Sequence, residues 1–112
     1  MLALFDKVSV KSVSHVTGGG FYENIPRAIP DGLCAKIYKD KLPKLPIFEL
    51  IAKCGNIPER DMYNTFNMGI GMAFVVDATE ADAALAILAE NGEDGARVIG
   101  EITVGGDKVV VC

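Results

Sequence analysis

Three consecutive glycines, Gly18-Gly19-Gly20, separate a segment that reads as strand from one that reads as helix, so one element must end there and another begin. Upstream, Val8, Val10 and Val13 suggest a strand, with the alternation slipping at Ser12. Downstream, Phe21 to Ile25 suits a short helix that stops before Pro26, because the residue preceding a proline is pushed away from helical angles. A strand feeding glycines and then a helix start leaves backbone N–H groups unpaired and convergent, at the positive end of the helix dipole. Such a loop seats a phosphate or carboxylate without any basic patch. The same residues also suit a tight turn with close backbone packing.

The rest of the chain alternates strand and helix signals. Leu2, Leu4 and Phe5 resemble the last turn of a helix whose beginning lies outside the chain. Ile29-Pro30-Asp31-Gly32 is a turn signal, followed by a strand over Leu33 to Tyr38 and a stiff proline-bearing connector at 42–46. Ile47, Leu50 and Ile51 have helical spacing with Gly55 as the expected cap, and Pro58-Glu59 opens another helix. The apolar stretch Ile70 to Val76 reads as a central strand. Thr79, with Asp82 three residues on, reads as an N-cap, and Ala83, Ala84, Ile87 and Leu88 as the buried stripe of the helix that Asn91-Gly92 closes. Val98 to Val104 and Lys108 to Val111 flank Gly105-Gly106-Asp107, the pattern of a hairpin. These elements imply an α+β fold with a mixed β-sheet and helices packed on it, a layered α/β sandwich, in one domain spanning residues 1–112. An exposed sheet edge would then be covered by strand exchange or dimerisation.

Charge and composition narrow the function. The net charge is -4, with no long basic run and no interleaving of aromatic and basic residues, which excludes nucleic acid as a partner. Acidic residues crowd the chain from Asp77 onward, while Lys36, Lys39, Lys41 and Lys44 cluster, either as a solvated strand end or as a steering patch. Cys34, Cys54 and Cys112 form no C-x-x-C pair, which argues against zinc and against a disulfide framework and suits free thiols in a reducing cytoplasm. MLALFDK is too short for a signal peptide, and no apolar window reaches membrane-spanning length.

Chemistry concentrates around the glycines. His15 stands just upstream, where an imidazole donates to a phosphate or stabilises charge on a reacting amide oxygen, although a lone histidine also serves as a packed or surface residue. Thr17 adds a hydroxyl to Gly18, Gly19 and Gly20. Asn24 and Arg27 follow, the arginine suited to pair with a phosphate or simply with an acid. In the second cluster, Thr65-Phe66-Asn67-Met68-Gly69-Ile70-Gly71-Met72, Asn67 needs partners if buried, and a substrate amide or ribose is one source; a bulged strand with methionine gap-fillers is the other reading.

HVTGGGFYENIPRAIPDGL, then NIPERDMYNTFNMGIGM, then VIGEI near the end, resemble the aminoimidazole ribonucleotide synthetase (phosphoribosylformylglycinamidine cyclo-ligase) family. The resemblance runs through nearly the whole chain in order. Formylglycinamidine ribonucleotide amidotransferase, selenophosphate synthetase and thiamine-monophosphate kinase share that architecture, but TFNMGIGM points to the cyclo-ligase branch. It implies a carboxyl-terminal domain, incomplete at its start, of an enzyme in which ATP activates the formyl amide oxygen of formylglycinamidine ribonucleotide. The amidine nitrogen then closes the imidazole ring, releasing ADP and phosphate.

The resemblance further implies a phosphorylated ribonucleotide substrate, a homodimer, and an amino-terminal domain that binds ATP and Mg2+, with neither held by this chain alone. His15 carries over as the candidate catalytic group. Thr17 and Gly18 to Gly20 carry over as the anion loop, and Asn67 as a further contact. Two positions depart from the pattern: Cys34 replaces the usual glycine, and Asn64 a commonly basic residue. A polypeptide of this kind is not expected to turn over alone. The alternatives are a stand-alone binding module for a phosphorylated metabolite, which would bind ligand unaided, and a dimerisation piece, which would act only beside a separate ATP-binding half.

Overall fold

The computed structural model describes residues 2–93 and 95–112. Along the chain run α1 (Leu2–Lys7), β1 (Val10–His15), α2 (Gly20–Asn24), β2 (Leu33–Ile37), α3 (Pro46–Gly55), α4 (Glu59–Thr65), β3 (Met72–Val76), α5 (Ala81–Glu90), β4 (Gly100–Val104) and β5 (Val109–Val111). Short 3-10 turns occupy Ile25–Ala28, Lys39–Lys41 and Ala78–Glu80. The α+β expectation holds. One sheet pairs β1 with β3, and a second, mixed sheet has the order β4-β2-β5.

The chain forms two compact units. The first comprises residues up to 13 and 74–98. Its core is Leu4, Val8, Ala84 and Ile87, with Phe74, Val76 and Leu88 packed against it. Val8 belongs to the turn after α1 rather than to a strand, since its N–H donates to the Leu4 carbonyl. The buried stripe of α5 is Ala84 and Ile87, while Ala83 faces solvent. Thr79 does not cap α5: a 3-10 turn precedes the helix without a side-chain cap. A carboxylate oxygen of Glu80 instead accepts the Ser9 amide at 3.1 Å.

The second unit comprises residues 14–73 and 99–112. Its buried apolar residues include Phe21, which is fully buried, and Val16, Ile25, Ile37, Met62 and Val109. The Phe21 ring lies 5.6 Å from that of Tyr63, tilted by 31°, which joins α2 to α4. Asn56, rather than Gly55, ends α3 in the left-handed conformation (φ 49°), and its N–H reaches the carbonyls of Ala52 and Lys53. The helical spacing of α3 does not translate into burial. Ile47 and Leu50 are 53% and 55% exposed, and none of the helix is fully buried.

The expected terminal hairpin is absent. β4 and β5 each pair with β2 instead, β4 antiparallel (Lys36 opposite Glu101) and β5 parallel (Lys36 opposite Val110). Two strand spacings, roughly 9.6 Å, separate β4 from β5, and the four residues of the connection can span about 13 Å. The connection crosses the start of β2, where the Gly105 N–H donates to the Gly32 carbonyl at 3.2 Å. Glycine at 100 lets β4 close on β2, because a Cβ there would lie 2.1 Å from the Lys36 carbonyl oxygen. β3 is likewise not central: it begins at Met72 and borders a two-stranded sheet among the described residues.

Candidate functional site

β1 ends at His15, which is exposed, and the chain dips into the core at Val16 before surfacing at Thr17 and Gly18. Gly19 (φ 96°) and Gly20 (φ 61°) take left-handed angles that other residues adopt only at a cost, and these reverse the chain into α2. The first and last of the three glycines do different jobs. A Cβ on Gly20 would fall 2.1 Å from the Tyr63 carbonyl oxygen and 2.6 Å from that of Phe66, so this glycine lets the loop rest on the end of α4. A Cβ on Gly18 would meet nothing within 4 Å, leaving its backbone open to an approaching ligand.

The loop is braced from within by Asn24. Its buried side-chain amide donates to the carbonyls of Gly20 (2.8 Å), Gly18 (3.2 Å) and Thr17 (3.3 Å), and its oxygen accepts the Thr17 hydroxyl at 3.4 Å. With the carbonyls turned inward to this amide, the loop's own N–H groups are left for the outside. The Gly20 N–H closes a turn onto the Thr17 carbonyl at 3.0 Å. Among the described residues, the amides of Gly18 and Gly19 have no hydrogen-bond acceptor. The arrangement therefore presents two preoriented donors, with Thr17 and the His15 imidazole exposed on the same stretch of chain and the Glu23 carboxylate folded against Gly19, where an added Cβ would fall 2.0 Å from its oxygen.

The second glycine-bearing cluster lies beside the first. The Val16 N–H donates to the Gly71 carbonyl at 2.9 Å, and Gly20 abuts the Tyr63–Phe66 end of α4. The Asn67 side-chain oxygen accepts the Gly69 N–H at 2.9 Å, and its carbonyl accepts the Ile70 N–H at 3.0 Å. This self-contained turn places Met68 (φ 51°) and Gly69 (φ 93°) in left-handed conformations. The structure thus brings His15, Thr17, the three glycines, Asn24 and the Asn67 loop into one neighbourhood. Arg27 sits exposed on the 3-10 turn after α2, and no hydrogen bond or ion pair among the described residues joins it to the loop.

Two lysines of the cluster, Lys39 and Lys36, have separate partners. Lys39 forms an ion pair with Glu59, which holds its ammonium above the ordinary lysine range. Lys36 stands 5.9 Å from the Tyr38 ring, and the Tyr38 hydroxyl donates to Glu101 at 2.7 Å, which raises the phenol. Burial pushes the Tyr63 phenol up, with the Glu59 charge adding to the effect. One cation went unnoticed in the sequence: Arg60, on α4, whose guanidinium carbon lies 4.1 Å from the centre of the Tyr22 ring. Its only local sequence signal is its spacing from Asn64, one helical turn on.

No helix among the described residues is long and apolar enough to cross a membrane. No group of three or more His, Cys, Asp or Glu among them is arranged to hold a metal ion.

A family model described as AIR synthase related protein, C-terminal domain, matches residues 1–112. The chain is 55% identical over 100 residues to the phosphoribosylformylglycinamidine cyclo-ligase of Bifidobacterium longum subsp. infantis, covering 89% of this chain and 29% of that protein. The proteins of that name from Staphylococcus carnosus and Acetivibrio thermocellus are 47% identical over 111 residues and 46% over 112, covering 99% and 100% of this chain. The chain spans 32% and 33% of those two relatives, about a third of their length.

Proposed function

The chain belongs to the AIR synthase related protein family, through its C-terminal domain, and on that premise we propose that it forms part of an ATP-dependent cyclo-ligase. This enzyme converts formylglycinamidine ribonucleotide to aminoimidazole ribonucleotide in purine biosynthesis. The name shared by the relatives supports the reaction. A family model that runs across all 112 residues supports treating them as one domain.

In this reading the loop from Thr17 to Gly20 holds the substrate phosphate. The carrying observation is the pair of uncommitted amides at Gly18 and Gly19, held outward by Asn24. Fixed amide donors stabilise an oxyanion without reorganising when it arrives. His15 lies within reach of the bound molecule and donates to the phosphate or to the charge that develops on the amide oxygen. Asn67 shapes the adjoining loop and keeps its side-chain NH2 for a substrate hydroxyl or amide. Arg27 adds long-range attraction.

When bound, ATP would supply the phosphoryl group that activates the amide oxygen, with Mg2+ neutralising charge on its phosphates. Both are assigned to an amino-terminal domain, as the family resemblance implies. That domain, the phosphorylated ribonucleotide and a second copy of the chain are the proposed partners, in the cytoplasm.

The test is an amide NMR titration of the chain with ribose 5-phosphate, followed by a turnover assay with and without the amino-terminal domain. Gly18 and Gly19 should move on titration, Gly18→Val should suppress the response at Gly19, and turnover should need both halves. Silent loop amides, or ring closure by this chain alone, would sink the reading.

A further inference from the structure

A groove of about 670 Å³ opens between the helical pair α2 and α4 on one side and β5 with its preceding turn on the other. It has the size of a small-metabolite site, and its lining is dominated by polar groups rather than apolar side chains. Three features converge there.

The first is Arg60. Its guanidinium carbon lies 4.1 Å from the centre of the Tyr22 ring, a contact that leaves the N–H groups available to a ligand. No carboxylate lies within ion-pair distance of it among the described residues, whereas Lys11, Lys39 and Lys108 all have one.

The second is the backbone of β5, the outer strand of its sheet. Ala35 donates to the Lys108 carbonyl, and Cys112 donates to that of Ile37. In a parallel ladder this register turns 108, 110 and 112 toward β2, and so directs the N–H and C=O groups of Val109 and Val111 to the free edge. Both residues line the groove.

The third is a pair of groups suited to hydroxyls, Asn64 on α4 and Asp107 in the turn. The Asp107 carboxylate would repel a bare polyanion, but it accepts from sugar hydroxyls. Lys108 at the groove's edge is held by Asp31 at 2.9 Å.

We propose that this groove is a second ligand site, for a phosphorylated sugar, in which Arg60 takes the phosphate while Asn64, Asp107 and the alternating N–H and C=O groups on the edge of Val109 and Val111 take hydroxyls. Its lining residues differ from those of the glycine loop, and it does not depend on what that loop binds. A peptide strand added to β5 fits less well, because two edge residues provide few ladder hydrogen bonds.

The experiment is an amide NMR titration of the full 112-residue chain with ribose 5-phosphate, with ribose and an acidic peptide as separate arms. Ribose 5-phosphate should shift the Val109 and Val111 amides and the Arg60 side-chain N–H, and ribose alone should not. Arg60→Gln should weaken that response about tenfold, the loss expected for a charge-assisted contact, and leave the Gly18 and Gly19 signals as they were. Asn64→Ala provides a second, milder variant, expected to weaken it about threefold. The proposal is overturned if the edge amides stay silent, if ribose or the peptide moves them as strongly, or if neither variant weakens the response. A silent glycine loop beside responsive edge amides would leave it standing.

Discussion

Gly18 and Gly20 are neighbours of the same type, yet the structure assigns them opposite sensitivities. Gly20→Ala forces a Cβ into the carbonyls that end α4 and holds a non-glycine residue at φ 61°. Overpacking and backbone strain together should cost about 2–4 kcal/mol, read as a lower urea midpoint. Gly18→Ala should stay within about 0.5 kcal/mol, because its side chain enters open space. Equal losses for the two variants would contradict the loop geometry. Asp31 supplies a pH signature. The hydrogen bond from Lys108, then its charge, holds this carboxyl below the ordinary range. A lowered folded-state value means that the pair's contribution is complete above the unfolded carboxyl value of about 3.9 and fades as pH falls through the folded one. Lys108→Met should return Asp31 to an ordinary titration in carbon-detected NMR. An unchanged titration would show that the ion pair does not persist in solution.

Among the elements, α3 separates pattern from burial. Its apolar spacing is that of a core helix, but Ile47 and Leu50 stay more than half exposed. Leu50→Lys should therefore shift the thermal midpoint very little, by no more than about 0.5 kcal/mol in stability. A large loss would mean that the face is covered in solution. The elements that could be read from sequence are those with local causes: Gly18 to Gly20 ending β1, Pro58 before α4, Asn91-Gly92 after α5. The strand partners could not be read, because alternation in Val98–Val104 and Lys108–Val111 is the same whether the two strands pair or straddle a third. The site divides in the same way. His15 and the glycines announced themselves, whereas the Val16–Gly71 contact joins distant segments. Asn24, expected to face a ligand, is turned inward by three carbonyls that only the folded loop brings together. Arg60 gains its meaning from Tyr22, which no spacing rule connects to it.

At the scale of the whole molecule, the three cysteines all fall in the second unit and report on solvent access there. Cys54 and Cys112 are exposed and Cys34 is buried in β2. A thiol-reactive chromophore should label the first two quickly and the third only at the rate of opening. Rapid labelling of all three would mean that the mixed sheet is not closed. That sheet also dictates an order of events. β2 is finished early in the chain, but both of its neighbours come from the last stretch of sequence. During synthesis it therefore emerges with neither edge matched and must wait until residue 111 has left the ribosome. Closing so long a loop carries an entropic delay, and through that interval Leu33–Ile37 is the segment most open to capture by a chaperone or by a neighbouring nascent chain.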